Sequence, residues 1–167
     1  KKHIHTDKKN KNAIPYVTSY YKKTWGFCLS QKDLSNIKNK RYKVVIDSSF
    51  KDGVMDYGEI LLSGKSKKEI LFSSYICHPS MVNNELSGPV INVALIDYIN
   101  NLKNKKYSYR FIFVPETIGS IAYINKNLKK LKNDMLAGFV INCAGDNRDY
   151  SFVQTPQKNT FADEIMK

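Results

Sequence analysis

The apolar positions of this chain change their rhythm part-way along it. Up to residue 66 they fall in short β-branched and aromatic runs: Pro15-Tyr16-Val17-Thr18-Ser19-Tyr20-Tyr21, Trp25-Gly26-Phe27-Cys28-Leu29, Tyr42-Lys43-Val44-Val45-Ile46-Asp47 and Gly58-Glu59-Ile60-Leu61-Leu62. Such runs predict strands, and Lys51-Asp52-Gly53 between the last two predicts a hairpin turn. Ser30 ahead of Gln31-Lys32-Asp33-Leu34 is an N-cap signal for a short helix. The expectation for 13–66 is a small antiparallel β subdomain with its aromatics as core, although a Trp/Tyr stripe also suits a ligand groove. Residues 1–12 are polar and lysine-rich and read as a leading segment that is frayed or tied down only by further parts of a longer protein.

From Lys68 the pattern alternates strand and helix. Ile70 to Ile76, Tyr109 to Val114 and Gly138 to Asn142 are strand-like, while Ser87 to Leu102 and Gly119 to Leu131 carry apolar residues near helical spacing. The short, nearly continuous apolar runs suit strands covered on both faces. Residues 67–167 therefore predict an α/β layer with flanking helices on a mostly parallel or mixed sheet. Thr160 to Lys167 reads as the first turns of a further helix.

Each of these strands runs out into polar chemistry. Cys77-His78-Pro79-Ser80 follows the first, with Asn83-Asn84-Glu85-Leu86-Ser87-Gly88-Pro89 close behind; Pro115-Glu116 follows the second; Cys143-Ala144-Gly145-Asp146 follows the third. Sites of open α/β sheets lie at the carboxyl ends of the strands. A histidine, a glutamate and an aspartate delivered there are the ingredients of a zinc site with a carboxylate base. Each has a plainer reading alone. His78 could be structural, Asn83, Asn84 and Glu85 could cap the following helix, Glu116 could face a helix N-terminus, and Asp146 could pair with Arg148. Their order on successive strands is what carries the assignment.

Composition narrows the partners. The 167 residues have a net charge of +12, but the only arginines are Arg41, Arg110 and Arg148, and the lysines are dispersed rather than grouped on one stripe. Base reading and bidentate phosphate clamps favour arginine, so a solvated lysine surface is expected and a specific nucleic-acid partner is not. Cys28, Cys77 and Cys143 form no CxxC pair, and the last two sit in or beside apolar runs. That predicts reduced, buried thiols and a cytoplasmic setting. No apolar run approaches the ~18 residues of a membrane span. The lack of an initiating methionine and the unfinished last helix suggest a piece of a longer protein.

Several of these stretches together resemble a known family. Ala13-Ile14-Pro15-Tyr16-Val17-Thr18-Ser19-Tyr20-Tyr21, Trp25 to Leu29, Cys77 to Ser80 with Asn83 to Pro89, and Pro115-Glu116-Thr117-Ile118-Gly119-Ser120 are similar to the bacterial aminopeptidase-like proteins of the zinc-dependent exopeptidase clan, which carry an inserted β subdomain and a winged-helix tail. The resemblance implies His78 and Asp146 as metal ligands and Glu116 as the catalytic base. It implies Asn83, Asn84 and Glu85 as substrate-binding groups or weak ligands. Asn84 stands where the clan has a bridging aspartate, Ser80 where an aspartate orients the histidine, and Thr117 where a second glutamate binds metal. A neutral amide bridges two cations poorly, so one zinc or none is expected rather than two, and the clan's last histidine has no counterpart after His78. The function implied is hydrolysis of a peptide or an amino-sugar amide by metal-activated water in the whole protein, possible as a homo-oligomer, the chain alone being inactive. The alternative is a degenerate peptidase fold kept as a binding or regulatory module.

Overall fold

The computed structural model describes residues 2–18, 22–38, 41–78 and 80–167, and the chain divides into two compact units, Lys1–Lys51 and Asp52–Lys167. The end of the expected strand from Pro15 to Tyr21, and Pro79 of the histidine loop, lie outside the described residues.

In the first unit, strand β1 (Ile4–His5) pairs with β2 (Phe27–Cys28) in parallel. The leading segment is thus held rather than frayed: the Trp25 ring stacks on His3 at 3.8 Å, and His3 Nδ1 lies 3.0 Å from the Trp25 carbonyl. Helix α1 (Gln31–Asn36) starts where expected, with Ser30 Oγ accepting from Asp33 N at 3.0 Å. The antiparallel subdomain is not what these residues build. Positions 41–57 carry no strand, and Asp52-Gly53 closes no hairpin. A β-branched run becomes a strand only against a partner, and among the described residues these runs have none. Their aromatics accordingly stay outside: Tyr16, Trp25, Phe27, Tyr42 and Phe50 are all exposed. A cavity of about 810 Å³ opens among Val17, Lys23, Trp25, Val44, Ile46 and Phe50.

The second unit is a four-stranded mixed sheet with helices on its faces. In chain order it contains β3 (Gly58–Leu62), β4 (Glu69–Tyr75), a π-helical turn (Val82–Leu86), α2 (Ser87–Asn100), β5 (Ser108–Val114), α3 (Ile118–Asp134), β6 (Met135–Val140) and α4 (Phe161–Ile165). The strand order is β3-β5-β4-β6, with β3 antiparallel to β5 and both neighbours of β4 parallel to it. The run Gly58–Leu62, grouped by pattern with the residues before it, belongs to this sheet: it covers the edge of β5 in the register Gly58↔Phe113 to Leu62↔Tyr109. An open, apolar strand edge is a strong attractor for such a run.

Period-two alternation sorts the inner strands onto two faces. Ile112 and Val114 of β5 point to α3, where they pack with Tyr123 and Leu131, and Leu71 of β4 joins them. On the other face Ser74 of β4 accepts from Asn92 Nδ2 of α2 at 2.6 Å. Phe72 stacks between Phe111 and Phe139 across the register, with centroids 5.1 and 5.6 Å away. At the amino end of β4, buried Glu69 takes two bonds from buried Arg110, from Nε at 2.6 Å and Nη2 at 2.7 Å. Lys130 and Glu59 complete this charge network. The last helix, α4, is secured by a capping box between Thr160 and Asp163. Among the described residues no helix is long and apolar enough to cross a membrane.

Candidate active site

Parallel pairing places the carboxyl ends of β4, β5 and β6 side by side, and the polar residues of the sequence follow them. Two glycines make the close approaches that bring these ends together. A Cβ on Gly88, in the first turn of α2, would lie 2.1 Å from the Ile141 carbonyl oxygen, and one on Gly119, in the first turn of α3, 2.6 Å from Pro115 Cδ. Only a residue without a side chain lets helix and strand end meet so closely.

The turn that presents Glu116 is a strained one. Ile118 N donates to Glu116 O at 2.6 Å, and the residue between them, Thr117, has φ 58° and ψ −70°. This is the γ-turn geometry that is rare even for small residues, here held by a β-branched one. Cys143, past the end of β6, also has a positive φ of 49°. Backbone conformations of this kind cost about 1–3 kcal/mol each and concentrate at functional sites. The π-helical turn Val82–Leu86 adds a third irregular segment to the same end of the sheet.

Within this frame the Cys77 thiol, the His78 ring and the Glu116 carboxylate come together: one potential ligand atom from each lies within 4.8 Å of the others, and all three residues are exposed. Beneath them Glu85 is buried at 3% exposure. One of its oxygens accepts from the Cys77 backbone N–H, and the other lies 3.3 Å from His78 Nδ1. Cys77 Sγ is 3.1 Å from the same ring nitrogen. The buried carboxylate fixes the ring from behind, as supporting carboxylates do for metal-binding histidines. Partial desolvation of the sulfur pushes the Cys77 thiol up, with the Glu85 charge adding to it, against the pull of the Glu116 backbone N–H.

Asp146 is placed differently. Its Oδ1 accepts from Arg148 N and Nε at 3.0 and 3.2 Å, and its Oδ2 from Arg148 Nη2 at 3.1 Å and Asn83 Nδ2 at 3.2 Å. The Arg148 contacts hold its carboxyl below the usual range, helped by Asn83. Asn83 Oδ1 in turn accepts from Gly145 N at 2.6 Å, and Ser87 Oγ accepts from Ala144 N at 3.0 Å, so the loop after β6 is tied to the π-helical turn. Asn84 reaches Cys143 Sγ at 3.5 Å, and the Tyr75 hydroxyl lies 4.0 Å from that sulfur. Burial, then the Cys143 contact, pushes the Tyr75 hydroxyl up to about 12, so it remains protonated at neutral pH.

Of the residues singled out in the sequence, His78 and Glu116 thus meet, Glu85 supports His78, Asn83 binds Asp146, and Asn84 faces Cys143. Asp146 is not in the Cys77–His78–Glu116 group. The thiols correct an expectation: Cys77 and Cys143 are exposed, because both lie just past their strands rather than inside them. Glu116 is exposed as well. Cys77 is the member of this group that the sequence pattern did not single out. Its position directly before the strand-end histidine was the available signal.

Residues 10–167 match a family described as a domain of unknown function, DUF4910. The chain belongs to this family. A relative in Clostridium acetobutylicum, named provisionally as a polysaccharide biosynthesis protein with an aminopeptidase-like domain, is 45% identical over 170 residues, covering all of this chain and 38% of the relative. A crystal structure of a C. acetobutylicum protein provisionally described as a peptidase is 42% identical, with a TM-score of 0.68 over 98% of this chain and 38% of that one. The chain therefore has the mixed α/β fold of a peptidase-like relative and spans well under half the length of either. These relatives make the family peptidase-like.

Proposed function

We propose that this chain forms part of the active site of a zinc-dependent, aminopeptidase-like hydrolase that cleaves a peptide or another amide bond with activated water. The observation that carries the reading is the convergence of His78 and Glu116, from the ends of two parallel strands, over a buried carboxylate. The donor chemistry fits the ion. An imidazole is a side chain zinc takes, the Glu116 carboxylate beside it can serve as base, and Glu85 behind His78 is the support such a histidine requires. Bound at His78, zinc would polarise the scissile carbonyl and make water acidic enough to deprotonate at neutral pH.

The chain's own groups do the rest. Glu85 holds the His78 ring in one orientation. Glu116 takes the proton of the attacking water on its carboxylate and returns it to the leaving nitrogen. The γ-turn at Thr117 keeps that carboxylate at the strand end, where an ordinary helix start would carry it away. In this reading Asn84, beside Cys143, meets the amine of a substrate, while Asn83 and Asp146 brace the neighbouring loop. The relative's link to polysaccharide biosynthesis makes an amide on an amino sugar as reasonable a substrate as a peptide. Free cysteines suit a reducing, cytoplasmic setting.

The test is turnover by the whole protein on aminoacyl p-nitroanilides and on N-acetylated amino sugars. Glu116→Gln is expected to keep fold and metal and to lose about 10²–10⁴-fold in rate. Unchanged turnover in that variant would remove Glu116 from the reaction.

A further inference from the structure

We infer that Cys77 is itself a metal ligand, so that the ion is held by a sulfur and a nitrogen from adjacent residues, Cys77 and His78, with Glu116 beside it as the base. This rests on the zinc reading above and goes beyond it by naming a thiolate as the second donor. Three observations carry it. The Cys77 sulfur, a His78 ring nitrogen and a Glu116 oxygen lie within 4.8 Å of one another, a cluster compact enough for small side-chain movements to gather its donors around one ion. The Cys77 backbone N–H and the His78 ring are both fixed by the same buried carboxylate of Glu85, so the two donors are held as a unit. The carboxylate expected as second ligand, Asp146, has both oxygens engaged by Arg148 and Asn83 and lies outside the group.

Softness of the donors decides which ions the site takes. A thiolate with an imidazole selects zinc and other thiophilic ions over magnesium and calcium, which require oxygen ligands. Ligation replaces the S–H bond with a sulfur–metal bond, and the proton leaves to solvent. The exposure of Cys77 then follows from its task, since a ligand of a catalytic ion must face the cleft rather than the core.

Cobalt(II) makes the claim visible, because a thiolate ligand gives a sulfur-to-cobalt charge-transfer band in the near ultraviolet that oxygen and nitrogen ligands do not. The whole protein, stripped with chelator and titrated with cobalt chloride, is expected to develop that band together with the visible bands of bound cobalt. Cys77→Ser should abolish the charge-transfer band and weaken cobalt binding about ten-fold or more. Cys143→Ser, which alters the other exposed thiol at this end of the sheet, should retain both. Visible cobalt bands without the sulfur band in the unaltered protein, or the sulfur band surviving in Cys77→Ser, would overturn the thiolate and leave the zinc hydrolase standing. No cobalt uptake by the unaltered protein would overturn both. Cys77 is exposed, so its replacement by serine leaves the core intact, and an unchanged far-ultraviolet circular dichroism spectrum verifies this.

Discussion

Replacing Gly88 by alanine opposes two effects of known sign. In an exposed helix this change removes backbone freedom from the unfolded chain and stabilises by roughly 0.5–1 kcal/mol. Here the added methyl would sit 2.1 Å from the Ile141 carbonyl oxygen and 2.9 Å from Ser74 Oγ. An ordinary contact is more than an ångström longer, so either the start of α2 or the strand end must retreat. Ile141 is held on both sides, by its N–H to Ser73 O at 2.9 Å and by its carbonyl from Ser74 Oγ at 3.1 Å. Overpacking costs about 1–3 kcal/mol and loss of a net hydrogen bond about 0.5–1.5 kcal/mol, which together exceed the helical gain. The variant should therefore be destabilised by about 0.5–4 kcal/mol after the gain is set against them. Urea denaturation followed by circular dichroism measures this, with Gly53→Ala as the control. At Gly53 nothing lies within 4 Å of the added methyl and φ is not positive, so that variant should be neutral or slightly more stable. A Gly88→Ala protein as stable as the unaltered one would refute the claim that close approach at this glycine holds α2 against the end of β6.

The charge network at the other end of the sheet gives a second prediction. Arg110→Met strands buried Glu69 with Lys130 alone and should cost about 3 kcal/mol, the low end of the range for a broken buried pair. Adding Glu69→Leu should recover most of it, and a single-variant cost under about 1 kcal/mol would show the network to be solvated. Asp163 is the pH probe. Its carboxyl, held well below the usual range by Thr155 first and by Thr160, contributes stability that is full above the unfolded value near 3.8 and is lost progressively as pH falls from there through the lower folded value. The amide resonances of Thr155 and Thr160 should therefore show no inflection near 3.8, and one there would contradict the bonding.

What was legible in the sequence was set by periodicity. The runs in β4 and β5 and the spacing in α2 and α3 pack against one another in the unit that contains them, so local pattern and tertiary structure agree. Gly58–Leu62 was misplaced because a strand's partner is a long-range fact: nothing in those five residues says that the open edge of β5 lies 46 or more positions away. The runs in 13–47 failed for the related reason that most have no strand partner among the described residues. At the site, His78 and Glu116 could be found because they directly end apolar strands. The support from Glu85 was hidden in a π-helical turn, whose irregular backbone turns inward a carboxylate that simple helical capping would leave at the surface. The pattern reads Cys77 as core for being apolar and next to a strand, where a shift of two residues past the end of the strand decides between inside and outside.

The central claim is that His78 anchors a zinc ion in the whole protein. Elemental analysis of that protein, purified without chelator beside His78→Ala, tests it directly. About one zinc per chain is expected in the unaltered protein and its loss in the variant, with the fold retained since the ring is about half exposed. No metal in either protein, or equal zinc in both, would contradict it.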